Sequence, residues 1–148
     1  MPHWFRTRAP YAALALGTIA LGLVVHLGGA VLGRATRDIV GDALWAAMVA
    51  WWIAAVAPHA PLQARAGVAL GLSFAVELSQ LYHTPALDAL RATRMGHLVL
   101  GSGFDPRDLA AYTAGVAAAV LLERAVRRRM RPADVESAPP PPAAHPTR

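Results

Sequence analysis

The chain of 148 residues contains no cysteine and no lysine. Without cysteine, disulfides and thiolate metal sites are excluded, while the compartment is left open. All fourteen basic residues are therefore arginine, and together with abundant alanine this is the composition expected of a GC-rich bacterial genome. Charge is scarce as well. Only 16% of residues are charged, against about 25% in an ordinary soluble domain. The shortfall is uneven, because charges cluster between long apolar stretches, and that pattern indicates membrane helices rather than a soluble globule. Nucleophile elbow, phosphate-cradling loop, zinc motif and dinucleotide fingerprint are all missing. The net charge of +5 comes largely from one C-terminal arginine run, which points to anionic headgroups and away from nucleic acid.

The apolar segments predict an all-α, polytopic membrane helix bundle. A short basic leader precedes an uncharged stretch from Ala9 to Gly33, long enough to cross the roughly 30 Å hydrocarbon core. It exceeds the ~7–15 residue apolar run of a signal peptide and lacks a cleavage site, so it is expected to be a retained first helix. Four transmembrane spans are expected, at approximately 10–33, 42–57, 65–82 and 108–126, within a membrane domain covering 1–131. Between the last two spans, Ala86 to Leu100 mixes leucines with Asp88, Arg91 and Arg94. It is too short and too charged to span, and is expected to lie in the interface or to re-enter the membrane between helices three and four. The Pro/Ala-rich tail at 132–148, with Pro139 to Pro142 in a row, is expected to be disordered and cytoplasmic.

Arginine placement sets the expected orientation. Arg6, Arg8, Arg65, Arg124, Arg127, Arg128, Arg129 and Arg131 fall on one side; Arg34, Arg37, Arg91, Arg94 and Arg107 fall on the other. The richer side is read as cytoplasmic, which puts both termini in the cytoplasm of a multi-pass inner-membrane protein.

That topology gathers polar residues at the outer face: Asp42 at the start of helix two, Glu77 and Gln80 in helix three, Asp105, Asp108 and Tyr112 at the start of helix four, and Arg94 in the preceding connection. Glu77 lies about five residues, roughly 8 Å, inside its helix end. A carboxylate facing lipid costs at least about 2 kcal/mol near the centre, so Glu77 is expected to face the bundle interior, with Gln80 one turn outward and Ser73 one turn inward. A purely structural interhelical bond explains it; so does a ligand or ion site. Asp105-Pro106-Arg107-Asp108 fits an N-cap, proline at N1 and an acid at N3, so capping alone explains both acids. Asp42 after Gly41 has the same reading. Their convergence with Glu77 and an arginine favours a site. No cofactor is expected; several carboxylates leave a divalent cation as the alternative.

Other signals are weaker. Gly115 and Ala119 form a small-xxx-small pair suited to close packing, as do Gly29/Gly33 and Gly67/Gly71. Trp45 shares a face with Asp42, Val49 and Trp52, and is read first as an interface anchor and second as a pocket wall. His26 is expected to pack within helix one. His83 and His97 lie near the polar set, as ordinary interface residues or proton carriers.

Three segments carry a family resemblance: Gly41-Asp42-Ala43-Leu44-Trp45; Glu77-Leu78-Ser79-Gln80-Leu81; and Gly101 through Tyr112 with Gly115. Together they resemble the domain of unknown function 2809 family. That family is similar to the VanZ-like small bacterial membrane proteins, which share Glu-x-x-Gln in one helix and Asp-x-x-x-Tyr/Asn-x-x-Gly in a later one. The resemblance, over roughly residues 10 to 126, implies a four- or five-helix inner-membrane protein. The expected function is a cell-envelope binding or accessory protein recognising a lipid-linked or headgroup ligand, with membrane lipids, an envelope precursor or a membrane protein as partner. A membrane enzyme acting on an envelope lipid, with Glu77 as base, and a purely structural subunit are the alternatives.

Overall fold

A computed structural model describes residues 3–28, 33–101 and 103–129. The described residues form helices α1 (His3–Leu27), α2 (Arg34–Val56), α3 (Leu62–Ser79), α4 (Pro85–Arg91), α5 (Arg94–Leu100) and α6 (Pro106–Arg129). The four longer ones make an up-and-down bundle in which α2 and α6 run in the same direction, Trp45 lying beside Tyr112 and Trp51 near Glu123. α2 is its central member, with α1, α3 and α6 each packed on it, while α3 and α6 also pack on one another.

Among the described residues, three helical stretches are long and apolar enough to cross a membrane: Arg8–Leu27, Arg34–Val56 and Pro106–Arg129. α3, with 18 residues, is not among them; it carries both Arg65 and Glu77. The burial pattern is inverted relative to a soluble domain. Leu16, Leu21, Leu27, Val56, Leu72 and Leu121 are exposed, whereas the largest fully buried side chains are Glu77 and Ser73. Without water outside, polar groups find partners only inside the bundle.

Small residues set the helix spacing. Ala15, Ala46, Ala50, Ala69 and Ala119 form the core with Trp51, Tyr112 and Val116. At the tightest point Gly115 of α6 lies directly against the Ala43 carbonyl of α2, where no side chain fits. The other expected glycine pair behaves differently. Gly67 and Gly71 have open space around them, so they do not bring helices together within this bundle; Gly29 lies outside the described residues.

Three elements depart most from the sequence expectation. α1 runs His3–Leu27, where a span at approximately 10–33 was expected. α2 starts at Arg34 rather than near Asp42. Arg34 to Asp38 continue the helix as a solvated extension, since arginine side chains are good helix formers once a packed segment follows. The expected helix at Ala86 to Leu100 is two short helices. Thr84 caps α4, accepting from the Leu87 N–H at 3.3 Å, with Pro85 at the first position. The chain then breaks at Thr93, whose hydroxyl donates to the Leu90 carbonyl at 2.7 Å and accepts from the Gly96 N–H at 3.0 Å. Arg91, buried, holds α4 to the end of α3 by donating to the carbonyls of Ser79 at 2.6 Å and Tyr82 at 2.9 Å. Neither helix spans more than about 10 Å. The tail at 132–148 lies outside the described residues.

Candidate functional site

The sequence of α3 places Arg65, Ala69, Ser73 and Glu77 four residues apart, so they form one buried stripe along the helix. Glu77 ends the stripe and has no solvent exposure. Its Oε1 accepts from the Asp105 backbone N–H at 2.7 Å. Its Oε2 accepts from Gln80 Nε2 and from the Tyr112 hydroxyl, each at 3.0 Å. Three donors from three segments therefore converge on one carboxylate, as its position inside an apolar run required. Enclosed this way, Glu77 ties the end of α3 to the segment before α6 and to α6 itself.

Gln80 is buried with its amide orientation set by Glu77, since only the Nε2 side can donate to that carboxylate. Its Oε1 has no hydrogen-bond partner among the described residues. The amide rests on Gly101, which has φ of 66°; a side chain there would meet Gln80 Nε2 at 2.5 Å. The left-handed glycine ends α5 and leaves room for the amide.

Asp105 caps α6 as expected, its Oδ1 accepting from the Arg107 N–H at 2.9 Å. Asp108 follows in the first turn. Asp42 does not cap α2. It lies eight residues inside the helix, roughly 12 Å along its axis, with its carboxyl within hydrogen-bonding reach of Asp108. The helix start was misplaced in the sequence reading because a polar run preceding an apolar one looks like a boundary. Asp42, Asp105 and Asp108 are each half-buried and so reachable from outside. The charges acting most on Asp42 are all acidic, from Asp108, Glu77 and Asp38. Trp45 packs its ring 5.7 Å from that of Tyr112, so it walls the cluster rather than only anchoring the helix at the interface.

Arg94 does not join this set. It is exposed, and among the described residues neither it nor Arg34, Arg37 or Arg107 forms an ion pair with these acids. No described group of three histidine, aspartate or glutamate side chains converges closely enough to hold a metal ion. His83 forms an exposed contact with Asp88 at 3.1 Å. His26 is exposed at the end of α1 rather than packed.

A second polar cluster closes the opposite end of the bundle. Glu123 Oε1 accepts from Arg65 Nη2 at 2.6 Å, the Tyr11 hydroxyl at 2.8 Å and Arg127 Nε at 2.9 Å. Arg65 also lies 5.4 Å from the Tyr11 ring centroid, and Tyr11 stacks on Trp51. Sequence reasoning missed this cluster. Glu123 sits beside Arg124 and Arg127 at a helix end, where charged residues ordinarily face water. The available signals were the Glu123/Arg127 spacing of four and the position of Arg65 in the α3 stripe.

An apolar helix exterior, a buried polar interior and acids collected at one end define a polytopic α-helical protein of membrane type. The chain belongs to the family described as Protein of unknown function (DUF2809), which matches residues 31–116. No solved structure matches the chain. The family match takes in α2 through the first half of α6, and with it the acidic cluster and Arg65. Tyr11, Glu123 and Arg127 lie beyond it.

Proposed function

We propose that this chain is a four-pass inner-membrane protein that binds an amine-bearing headgroup at its outer face, as an envelope-lipid binding or accessory protein. α3 forms the fourth span, since its two charges are buried inside the bundle and need not meet lipid. The arginine excess places both termini in the cytoplasm, and the acidic end then lies among the outer headgroups. The observation that carries the reading is the approach of the half-buried Asp42 and Asp108 to one another, with Glu77 and Asp38 adding negative charge beside them. Two carboxyls in that relation share a proton or hold a cation between them. An ammonium group fits, donating to Asp42 and Asp108. Among the described residues no arginine pairs with these acids, which turns the ligand chemistry from mixed to cationic.

The test uses the full chain in nanodiscs of phosphatidylglycerol, with and without phosphatidylethanolamine. Phosphatidylethanolamine is expected to raise the thermal midpoint of the parent protein. Asp42→Asn and Asp108→Asn are expected to keep their helical content and lose that response. An unchanged response in both variants would overturn the reading. Sidedness is read separately from single cysteines in this cysteine-free chain: Arg34→Cys and Arg94→Cys should label from outside, and His59→Cys only after permeabilisation.

A further inference from the structure

The Arg65 end of the bundle has an unused binding capacity. Arg65 is 4% exposed, and only its Nη2 is bonded to Glu123. Its Nε and Nη1 are buried without a partner among the described residues. Leaving buried guanidinium N–H groups unpaired is costly, which makes an acceptor the missing component. The first turn of α3 supplies more donors. Pro61 precedes it with no side-chain cap, so its leading N–H groups have no intrahelical acceptor and carry the positive end of the helix dipole. Leu62 of that first turn and Arg65 line one narrow cavity, together with Trp51, Ala66, Ala119 and Glu123 among others. It has room for about one water-sized group. Around it, two arginines, Arg65 and Arg127, face one carboxylate, Glu123. Arg124, Arg128 and Arg129 are exposed on the adjoining turns.

We propose that this end of the bundle is an oxyanion site of the phosphate class, in which one ligand oxygen enters the cavity beside Arg65 and the first turn of α3 while the remaining oxygens meet the surrounding arginines. The size of the cavity sets this mode: a single oxygen enters and the rest of the group stays at the bundle end. That end lies where lipid phosphates lie if the chain spans the bilayer, so the phosphate belongs either to an anionic lipid or to a free solute. The site is distinct from the acidic one, carries the opposite charge preference, and does not depend on it.

The experiment measures thermal midpoint and ligand retention by native mass spectrometry for the full chain in detergent. The probes are phosphatidylglycerol, phosphatidylcholine and inorganic phosphate. Arg65→Lys removes the unpaired guanidinium donors. Ala66→Leu fills the cavity and leaves every polar atom in place, so it keeps the proposal testable if Arg65→Lys fails to fold. Phosphatidylglycerol is expected to bind at least tenfold more tightly than phosphatidylcholine, and both variants to lose most of that margin. An equal effect of inorganic phosphate assigns the site to a free oxyanion, and its lack of effect assigns it to the lipid. Two results overturn the proposal. One is a preference that survives Arg65→Lys and Ala66→Leu but vanishes when Arg124, Arg128 and Arg129 are replaced by alanine, which marks a diffuse surface patch. The other is no preference for any of the anions, which leaves only a water in the cavity.

Discussion

Tyr112 donates its hydroxyl to Glu77 Oε2 at 3.0 Å across the α3–α6 contact, both residues buried. Among the described residues, the other polar tie at that level runs from the Asp105 backbone N–H to Glu77 Oε1. Tyr112→Phe keeps the ring against Trp45 and removes one of three donors. Hydrogen bonds inside membrane bundles average about 0.6 and reach about 1.7 kcal/mol, so the loss in unfolding free energy should fall in that range. Glu77→Gln is expected to cost more, about 1–3 kcal/mol, because its amide NH2 faces a donor and one buried group goes unpaired. Glu77→Ala should be the most damaging of the three. Denaturant unfolding in mixed micelles checks the order; a Tyr112→Phe protein less stable than Glu77→Ala would contradict it.

The contact between Gly115 and the Ala43 carbonyl predicts a sharp difference between glycines. Gly115→Ala places a methyl group against backbone that cannot rotate away, and separating α2 from α6 should cost about 1–3 kcal/mol. Gly71→Ala adds the same methyl group where nothing lies within 4 Å. It should be neutral or stabilise α3 by up to about 1 kcal/mol through helix propensity. Parallel unfolding of the two variants decides it, and equal effects would mean that α2 and α6 do not approach here.

These two relationships differ in how far the sequence revealed them. Glu77 was legible because a carboxylate within an apolar run has few solutions, and facing the bundle with donors around it is the least costly. Gly115 was legible as a small-xxx-small position, but so was Gly67/Gly71, and spacing alone does not say which face meets a helix. Asp42 was misread because the sequence shows where apolar residues begin, whereas a helix begins wherever its hydrogen bonds do. Arg65 and Glu123 were hidden for another reason. At the rim of a membrane helix a charged side chain can always be solvated, and only the arrival of Tyr11 and α2 beside them in three dimensions removes that option. The helix pattern was thus the readable part, and the pairing of helix ends was not.

Gly101 offers a test of how Gln80 is held. With φ at 66°, alanine there is strained by roughly 1–2 kcal/mol, and its methyl group also meets the Gln80 amide. The second contribution disappears in a Gln80→Ala background, while the backbone strain persists. Gly101→Ala should therefore destabilise the parent by more than it destabilises Gln80→Ala, with a coupling of about 0.5 kcal/mol or more. Additive effects in the double-mutant cycle would show that the amide does not rest on Gly101.

The last prediction concerns the opposite end, where Glu123 gathers Tyr11, Arg65 and Arg127. Removing one partner of a buried ion pair is costly because the other charge is left uncompensated, commonly by about 3–5 kcal/mol. Glu123→Ala leaves the buried Arg65 guanidinium with no acceptor among the described residues, so it should be among the most destabilising single changes in the chain. Arg127 is exposed, and its loss is solvated rather than buried; Arg127→Ala should cost no more than about 1 kcal/mol. Replacing both buried partners, Arg65→Met with Glu123→Leu, removes the unpaired charge instead of creating one. The double variant is expected to regain most of the stability lost in Glu123→Ala, since apolar substitutes for buried ion pairs are often neutral. Tyr11→Phe supplies the control, as it deletes one neutral donor and keeps the stacking on Trp51. If the double variant unfolds as readily as Glu123→Ala, the stability at this end comes from the shape of the side chains and not from their charge pairing.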